Sequence, residues 1–567
     1  MVQDTHFDVI VIGSGFGGSV MAYRFAEAGR SVCVLERGKA YPPGSFPRSP
    51  YDMKQNFWDP SQGLHGMYNV WSFHKLGAIV SSGLGGGSLI YANVFIRKDE
   101  RWFVNEKPNH PGYEAWPVTR QDLEPHYDSV ERIIRPQQYP VQHHPYAKTP
   151  KMLAMRAAAV ALQQQAPGQV ELLLPNLAVT FGNPNKVPVP GEPIVEDYAN
   201  LHGRTRDTCR LCGECDIGCN YGSKNTLDYN YLSLAKLNKA DIRTRSEVRS
   251  FRPRKAEEGG GYEVSYVDHS TEERDTQNLP LLKLTCKKLV LAAGALGSTF
   301  LLLKNKHNFP GISPRLGHAM SGNGDILGIA LHSHDSETNE GRVIEPSEGP
   351  VITSALRFAD QLDGVGANGR GFYVEDAGYP QFVNWLAQSA DLGGEAARFA
   401  GFLWTWLKMH LASNPKSDLG SALSSLLGTG SLTRSALPLL GMGRDIPSGV
   451  ASLNAKGCLA LDWSIDASAA YFERIRGSMR DICEALEAKY VDDPLWALSR
   501  ELTVHPLGGC PMGASIEQGV VDAQGEVFGF PGFYIADGSV LPGPVGPNPS
   551  LTIAACADRF AERSLQG

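Results

Sequence analysis

One stretch near the start limits the fold more than any other: Asp8-Val-Ile-Val-Ile12 runs directly into Gly13-Ser-Gly15-Phe-Gly17-Gly18. The β-branched apolar run predicts a buried strand. The glycines predict a tight turn into a helix over residues 19–28, with Gly29 closing it. Ser31-Val-Cys-Val-Leu35 reads as a second strand, and Glu36 stands at its end. Strand, Gly13-x-Gly15-x-x-Gly18 turn, helix and acidic residue together predict a parallel unit that holds a dinucleotide. The glycines let backbone approach a pyrophosphate at the helix N-terminus, and the carboxylate takes ribose hydroxyls. An acid at that place suits an unphosphorylated ribose, hence FAD or NAD rather than NADP.

At 567 residues the chain holds about three to four domain equivalents, yet its far end carries a group that belongs with the first. His505-Pro-Leu-Gly-Gly-Cys510 and Val545-Gly-Pro-Asn548-Pro each set a polar side chain in Gly- and Pro-rich backbone, around a strand ending Ala536-Asp537-Gly538. A dinucleotide turn at one end and a His/Asn pair at the other predict one redox site built from both termini. Ser82-Gly-Leu-Gly85-Gly86-Gly-Ser88, ahead of Leu89-Ile-Tyr-Ala-Asn93, offers backbone N–H groups to a pyrophosphate or a ring system. Residues 288–294 read as another buried strand, ending at Gly294 before a helix over 298–303. The turns at Gly294 and Asp537-Gly538 favour FAD over NAD, since a flavin needs contacts along its ribityl chain and ring.

Composition narrows the partners. A net charge of −7 without a Lys/Arg block gives no reason to expect nucleic acid. No run reaches about 18 apolar residues, so no membrane span is expected. The first strand leads straight into its turn with no charged n-region and cleavage site ahead of it, which predicts a cytoplasmic protein. Residues 380–440 are rich in Leu, Ala, Trp and Gly with few charges. They predict helices packed over an apolar cavity, or a surface in peripheral contact with a membrane or a partner.

The segments from Gly13 to Gly38, from Gly83 to Asn93 and from His505 to Arg563 resemble the glucose–methanol–choline (GMC) oxidoreductases. The tail is most similar to that of the bacterial cholesterol oxidases. The resemblance implies an α/β fold: a Rossmann-like FAD-binding domain of discontinuous segments (1–110, 200–340 and 498–567) and an α+β substrate domain with an antiparallel sheet (111–199 and 341–497). It implies noncovalent FAD held by Gly13, Gly15, Gly18, Glu36, Gly85, Gly86, Ser88, Asn93, Val248, Gly294, Asp537 and Gly538. His505 matches the active-site histidine and Asn548 the asparagine facing flavin and substrate oxygen. That pair suits alcohol oxidation, because a hydroxyl must lose its proton as its carbon gives up hydride. Glu375, in Tyr373-Val-Glu-Asp376, stands where the sterol oxidases carry a proton-moving glutamate that isomerises a steroid ring. His74 precedes the second glycine cluster, near where some members tether FAD, but its spacing does not favour a covalent link.

The expected reaction is thus FAD-dependent oxidation of a bulky apolar alcohol, of 3-hydroxysteroid type, with O2 or a quinone or cytochrome as acceptor; the alternative oxidoreductase is a dehydrogenase that passes electrons through an iron–sulfur cluster to a quinone or cytochrome and acts on a sugar or long-chain alcohol. A lyase or decarboxylase on the same scaffold is the alternative of another class, and the His505/Asn548 pair argues against it. Cys209-x2-Cys212-x2-Cys215-x3-Cys219 has the spacing of a ferredoxin iron–sulfur loop and resembles the cluster segment of FAD-dependent glucose dehydrogenases. Three readings stand for it: an iron–sulfur cluster that carries electrons away, a structural zinc or a thiol and disulfide set, or buried unliganded cysteines.

Overall fold

The computed structural model describes residues 5–48, 52, 55–106, 112–270, 279–335, 340–379, 435–493, 496 and 499–566. Of the apolar stretch singled out above, residues 380–434 lie outside the described residues.

Two sheets organise the chain, and they differ in kind. In the first, Asp241–Arg243, Val32–Leu35, His6–Ile12 and Leu282–Leu291 run parallel in that order. The long strand Leu282–Leu291 then forks. Its first half pairs antiparallel with Tyr262–Asp268, which continues to Ser246–Pro253, while Leu289–Leu291 pairs parallel with Phe533–Ile535. The four-residue strand Val32–Leu35 is buried throughout, as expected of a parallel sheet covered on both faces.

The helix Phe16–Glu27 packs on this sheet and against the final helix, Ser550–Gln566, which in turn meets Arg120–Ile134. Asp558 ties these helices together: it pairs with Arg24, and it accepts from His126 Nδ1 at 2.6 Å. The first helix begins three residues before the sequence pattern suggests, because Gly17 and Gly18 serve close approach rather than the turn itself. A Cβ at Gly17 would stand 1.6 Å from the Ala536 oxygen, and one at Gly18 2.1 Å from the Gly13 oxygen.

The second sheet is six-stranded and antiparallel throughout, in the order Val170–Leu173, Ala355–Phe358, Phe372–Asp376, Leu437–Gly443, Ile326–Leu331 and Lys489–Asp492. Two helices, Pro150–Gln165 and Ala469–Ala485, cover one face, where Ile475, Met479 and Ile482 pack with Leu356, Phe372 and Val374. A small third sheet joins Glu501–Thr503 in parallel to Leu76–Ser81, so the strand leading to His505 is anchored to the early part of the chain. The chain is therefore a mixed α/β protein with one mixed sheet and one antiparallel sheet. Among the described residues no helix is long and apolar enough to cross a membrane.

Candidate active site

A cavity of about 870 Å³ lies between the two sheets, and both ends of the chain wall it. That volume is at the upper end for a small-molecule site. Gly13, Gly15, Glu36, Gly86, Asn93, Val248, Gly294, Asp537 and Gly538 line it, and so do His505 and Asn548.

Three helices open on the cavity: Phe16–Glu27, Ala295–Lys304 and Ser550–Gln566. A Cβ at Gly15 or Gly294 would meet no atom within 4 Å, so backbone here is open to a ligand. Glu36 is held rigidly: Oε2 accepts from Ser14 N at 3.1 Å and Ser14 Oγ at 2.7 Å, and Oε1 accepts from Gly38 N at 2.9 Å. Asp537 accepts from Gly294 N at 2.9 Å, Ser298 Oγ at 2.5 Å and Ser539 N at 2.8 Å. Burial raises its carboxyl above the usual range.

Three of the expected cofactor residues act from behind the wall. Gly18 lets the first helix close on Gly13, and Gly85, at φ +105°, donates its N–H to Ser14 Oγ at 3.1 Å. Ser88 donates from Oγ to Gly85 O at 2.7 Å and accepts from Leu227 N at 3.1 Å.

His505 Nδ1 lies 2.8 Å from Asp325 Oδ1, which leaves Nε2 as the free ring nitrogen. Asn548 is buried; its Nδ2 lies 3.5 Å from Glu375 Oε2, and its Oδ1 has no partner. Glu375 is not on the cavity wall. It stands behind Asn548 on the strand Phe372–Asp376, and burial pushes its carboxyl well above the usual range. The glutamate expected to move a proton thus stands behind the wall, in contact with Asn548. His74 sits on an exposed turn and does not line the cavity.

One wall of the cavity is apolar. Along Ile326–Leu331, the half-buried Leu327, Ile329 and Leu331 alternate with buried neighbours and face the cavity, joined by Leu440 and Val491 from adjoining strands. The sheet thus turns one face to its two helices and the other to the cavity. Trp71 and Phe300 close the opposite side, with ring centroids 5.8 Å apart.

A GMC oxidoreductase model matches residues 464–557, a span that includes His505 and Asn548, and an FAD binding domain model matches residues 8–41. The far end of the chain is thus similar to the GMC oxidoreductases, and its first strand, turn and helix to an FAD binding domain. The chain is 28% identical to a cholesterol oxidase of Mycobacterium tuberculosis over 98% of this chain and 90% of that protein. A cholesterol oxidase of Acinetobacter baumannii is also 28% identical, over 98% and 94% of the two chains. A 2-methyl-1,2-propanediol dehydrogenase of Mycolicibacterium austroafricanum is 23% identical over 98% and 94%.

FAD is the cofactor, and the cavity fits it. Both side-chain polar atoms of buried Asn93, together with Ser550 Oγ and Asn548 Oδ1, lie on the wall without a hydrogen-bond partner. Buried polar atoms left so are costly unless a ligand or water satisfies them.

The cysteines do not share this geometry. Cys209 and Cys215 pack among Tyr139, Tyr146, Val179 and Phe181, whereas Cys212 and Cys219 are half-buried. All four are free thiols, which removes the disulfide reading. Among the described residues no three His, Cys, Asp or Glu side chains are grouped to hold a metal ion. The loop's backbone is held from several sides: Cys209 N donates to Thr180 O, Cys212 bridges to Gly349, and Lys224 Nζ donates to Cys215 O at 2.8 Å. Burial raises the Cys209 and Cys215 thiols, favouring their neutral form. The loop still reaches the cavity through Asp216, whose carboxyl burial pushes up to about 6.

Sequence reasoning missed Asp325, Tyr91 and Ser550 on the wall. Ser321-Gly-Asn-Gly-Asp325, a polar turn directly before an apolar strand, was the available signal for the first.

Proposed function

We propose that this protein is a GMC oxidoreductase that oxidises the CH–OH group of a bulky apolar alcohol, of 3-hydroxysteroid type, to the ketone, or a long-chain alcohol to the aldehyde. The observation that carries the reading is one cavity in which a dinucleotide-type turn and an apolar sheet face meet at His505 and Asn548. FAD, when bound, supplies the hydride acceptor.

The protein's residues do the rest. His505 holds its Nε2 free because Nδ1 donates to Asp325, so Nε2 accepts the hydroxyl proton as the carbinol carbon is oxidised. Asn548 presents an amide whose Oδ1 is otherwise unpartnered, and it fixes the substrate oxygen. Glu375, kept protonated by burial and in contact with Asn548, is placed to lend a proton to a ring-isomerising step. Leu327, Ile329 and Leu331 exclude water and take an apolar body without a demand for hydrogen bonds.

The same reading treats the mixed sheet as Rossmann-like and divides the chain into an FAD-binding domain of residues 1–110, 200–340 and 498–567 and a substrate domain of 111–199 and 341–497. The strand Ile326–Leu331 then joins the substrate sheet from the FAD-binding side.

The test is anaerobic bleaching of the flavin band by a panel of 3-hydroxysteroids, long-chain alcohols and small polyols. Sterols or long-chain alcohols should bleach it at the lowest concentrations. Bleaching by small polyols alone would overturn the substrate class. Hydrogen peroxide on admission of air identifies O2 as acceptor; its absence, with a quinone or cytochrome reduced instead, identifies a dehydrogenase.

A further inference from the structure

The segment 321–325 lies between the antiparallel sheet and the cavity, and it touches the supports of both His505 and Asn548. Ser321 exchanges backbone hydrogen bonds with Leu507: Ser321 N donates to Leu507 O at 3.0 Å, and Leu507 N donates to Ser321 O at 2.9 Å. Asn323, buried and at φ +57°, grips the loop ahead of Asn548 with both ends of its amide. Its Oδ1 accepts from Val545 N at 2.9 Å and Gly546 N at 3.0 Å, and its Nδ2 donates to Gly546 O at 3.3 Å and Pro547 O at 3.1 Å.

Asp325, whose side chain is 2% exposed, does the same for the other loop. Oδ1 takes His505 Nδ1, and Oδ2 accepts from Val504 N at 2.9 Å and lies 2.8 Å from Thr503 Oγ1. Thr503 Oγ1 also accepts from His505 N at 2.8 Å.

Nothing in the turn can yield easily. A Cβ at Gly322 would stand 2.0 Å from Glu501 Oε1, and one at Gly324 2.5 Å from the Tyr471 hydroxyl. Gly443 N donates to Asn323 O at 2.9 Å and Tyr471 OH to Gly324 O at 2.8 Å, which fastens the turn to the sheet and its helix.

We propose that the turn 321–325 is one positioning element for both reactive groups: Asp325 fixes the tautomer and aim of His505, and Asn323 sets the backbone that carries Asn548. The inference rests on the proposed roles of His505 and Asn548. A carboxylate on Nδ1 holds the proton there, leaving Nε2 to receive the substrate proton, and it stabilises the ring once charged. The other ionisable groups facing Asp325 are Glu501, Asp445, Tyr471 and Glu375. Burial raises all four, and so favours their uncharged forms beside the Asp325–His505 pair.

The experiment uses the FAD-loaded full chain and the anaerobic bleaching rate with the best alcohol of the panel. Asp325→Asn should lower the saturating rate about 10- to 100-fold and leave the half-saturating alcohol concentration in place. Asn323→Asp keeps the acceptor and loses the donor; it too should lower the saturating rate. Flavin content and thermal midpoint show that both variants fold. Neither should lower the rate further in its paired background, Asp325→Asn in His505→Ala or Asn323→Asp in Asn548→Ala, because each acts through that residue.

A readout that needs no turnover is the 15N spectrum of ring-labelled histidine in FAD-free protein. His505, assigned by its loss in His505→Ala, should carry its proton on Nδ1, and Asp325→Asn should mix the tautomers. A wild-type rate in Asp325→Asn, an unchanged Nδ1 tautomer there, or full additivity with His505→Ala would overturn the positioning role while leaving the proposed function intact. A wild-type rate in His505→Ala would overturn the role given to His505, and bleaching by small polyols alone the proposed substrate class.

Discussion

The tail from His505 to Asn548 and the loop from Cys209 to Cys219 both crowd reactive side chains into Gly-rich backbone, and both reach the same cavity. The fold treats them in opposite ways. In the tail, backbone is pinned from outside: Lys98 Nζ donates to Pro544 O at 2.8 Å and Val545 O at 3.0 Å, and the side-chain oxygen of Asn548 is left unmatched at the wall. In the cysteine loop, two thiols are packed among aromatic rings and no three potential ligands converge among the described residues. Spacing along a chain says which residues are neighbours. Chemistry needs polar groups held rigid and left unsatisfied where a ligand can reach them.

The largest blow to the tail's side of this comparison would come from His505→Ala. Loss of a positioned proton acceptor should lower the anaerobic bleaching rate by about 10²- to 10⁴-fold with FAD retained. Asn548→Ala follows, at about 10²- to 10³-fold, if its amide meets charge that develops on the substrate oxygen. A rate within twofold of wild type for either variant would put the tail in the same class as the cysteine loop.

The interior behind His505 gives a pH test of the same contrast. Asp445 accepts from Ser321 Oγ at 2.6 Å, its Oδ2 is unpartnered, and burial pushes its carboxyl from 3.8 up to about 6. The folded chain therefore holds this proton more tightly than the unfolded one. The contribution to stability is complete below about pH 4 and is lost as pH rises through about 6, a fall on the order of 3 kcal/mol. Asp445→Asn abolishes that titration. Its stability relative to wild type should rise between pH 4 and pH 7 by on the order of 3 kcal/mol, read from urea unfolding. A constant difference across that range would mean that water reaches the pocket and that the groups behind His505 are not held dry.

What the sequence discloses follows the same division. Gly13, Gly15, Gly18 and Glu36 were legible because the strand, turn, helix and acid are consecutive, and each type answers a local demand. His505 and Asn548 were legible through a resemblance carried by rigid Gly/Pro backbone. Asp325 was not, because its partner lies 180 residues away and nothing local in Gly-Asn-Gly-Asp names it. Glu375 was legible as a proton-moving glutamate through the resemblance, but its place behind Asn548 was not: a strand alternates its side chains, and the pairing of Glu375 with Ala355 and Leu440 is a tertiary fact. The forked strand Leu282–Leu291 was hidden for the same reason, since its first half is shared with a hairpin that pattern alone does not tie to it.

The smallest effect falls on the cysteines, and it separates the readings of that loop. Were Cys212 one of four ligands, Cys212→Ala would release iron and sulfide, abolish reduction of an artificial acceptor dye, and lower stability as the loss of a structural metal does. Its actual surroundings predict otherwise. Cys212 is half-buried and its backbone is held by the bridge to Gly349, so Cys212→Ala should change unfolding free energy by at most about 0.5 kcal/mol and leave the bleaching rate as it was. Cys215→Ala removes a buried sulfur from the cluster around Tyr139 and Phe181, and should cost about 1 kcal/mol through the space it leaves. Only packing ranks Cys215 above Cys212; ligation would make the two losses equal. Equal losses, accompanied by iron in the wild-type protein, would restore the loop to the chemistry of the site and undo the contrast with the tail.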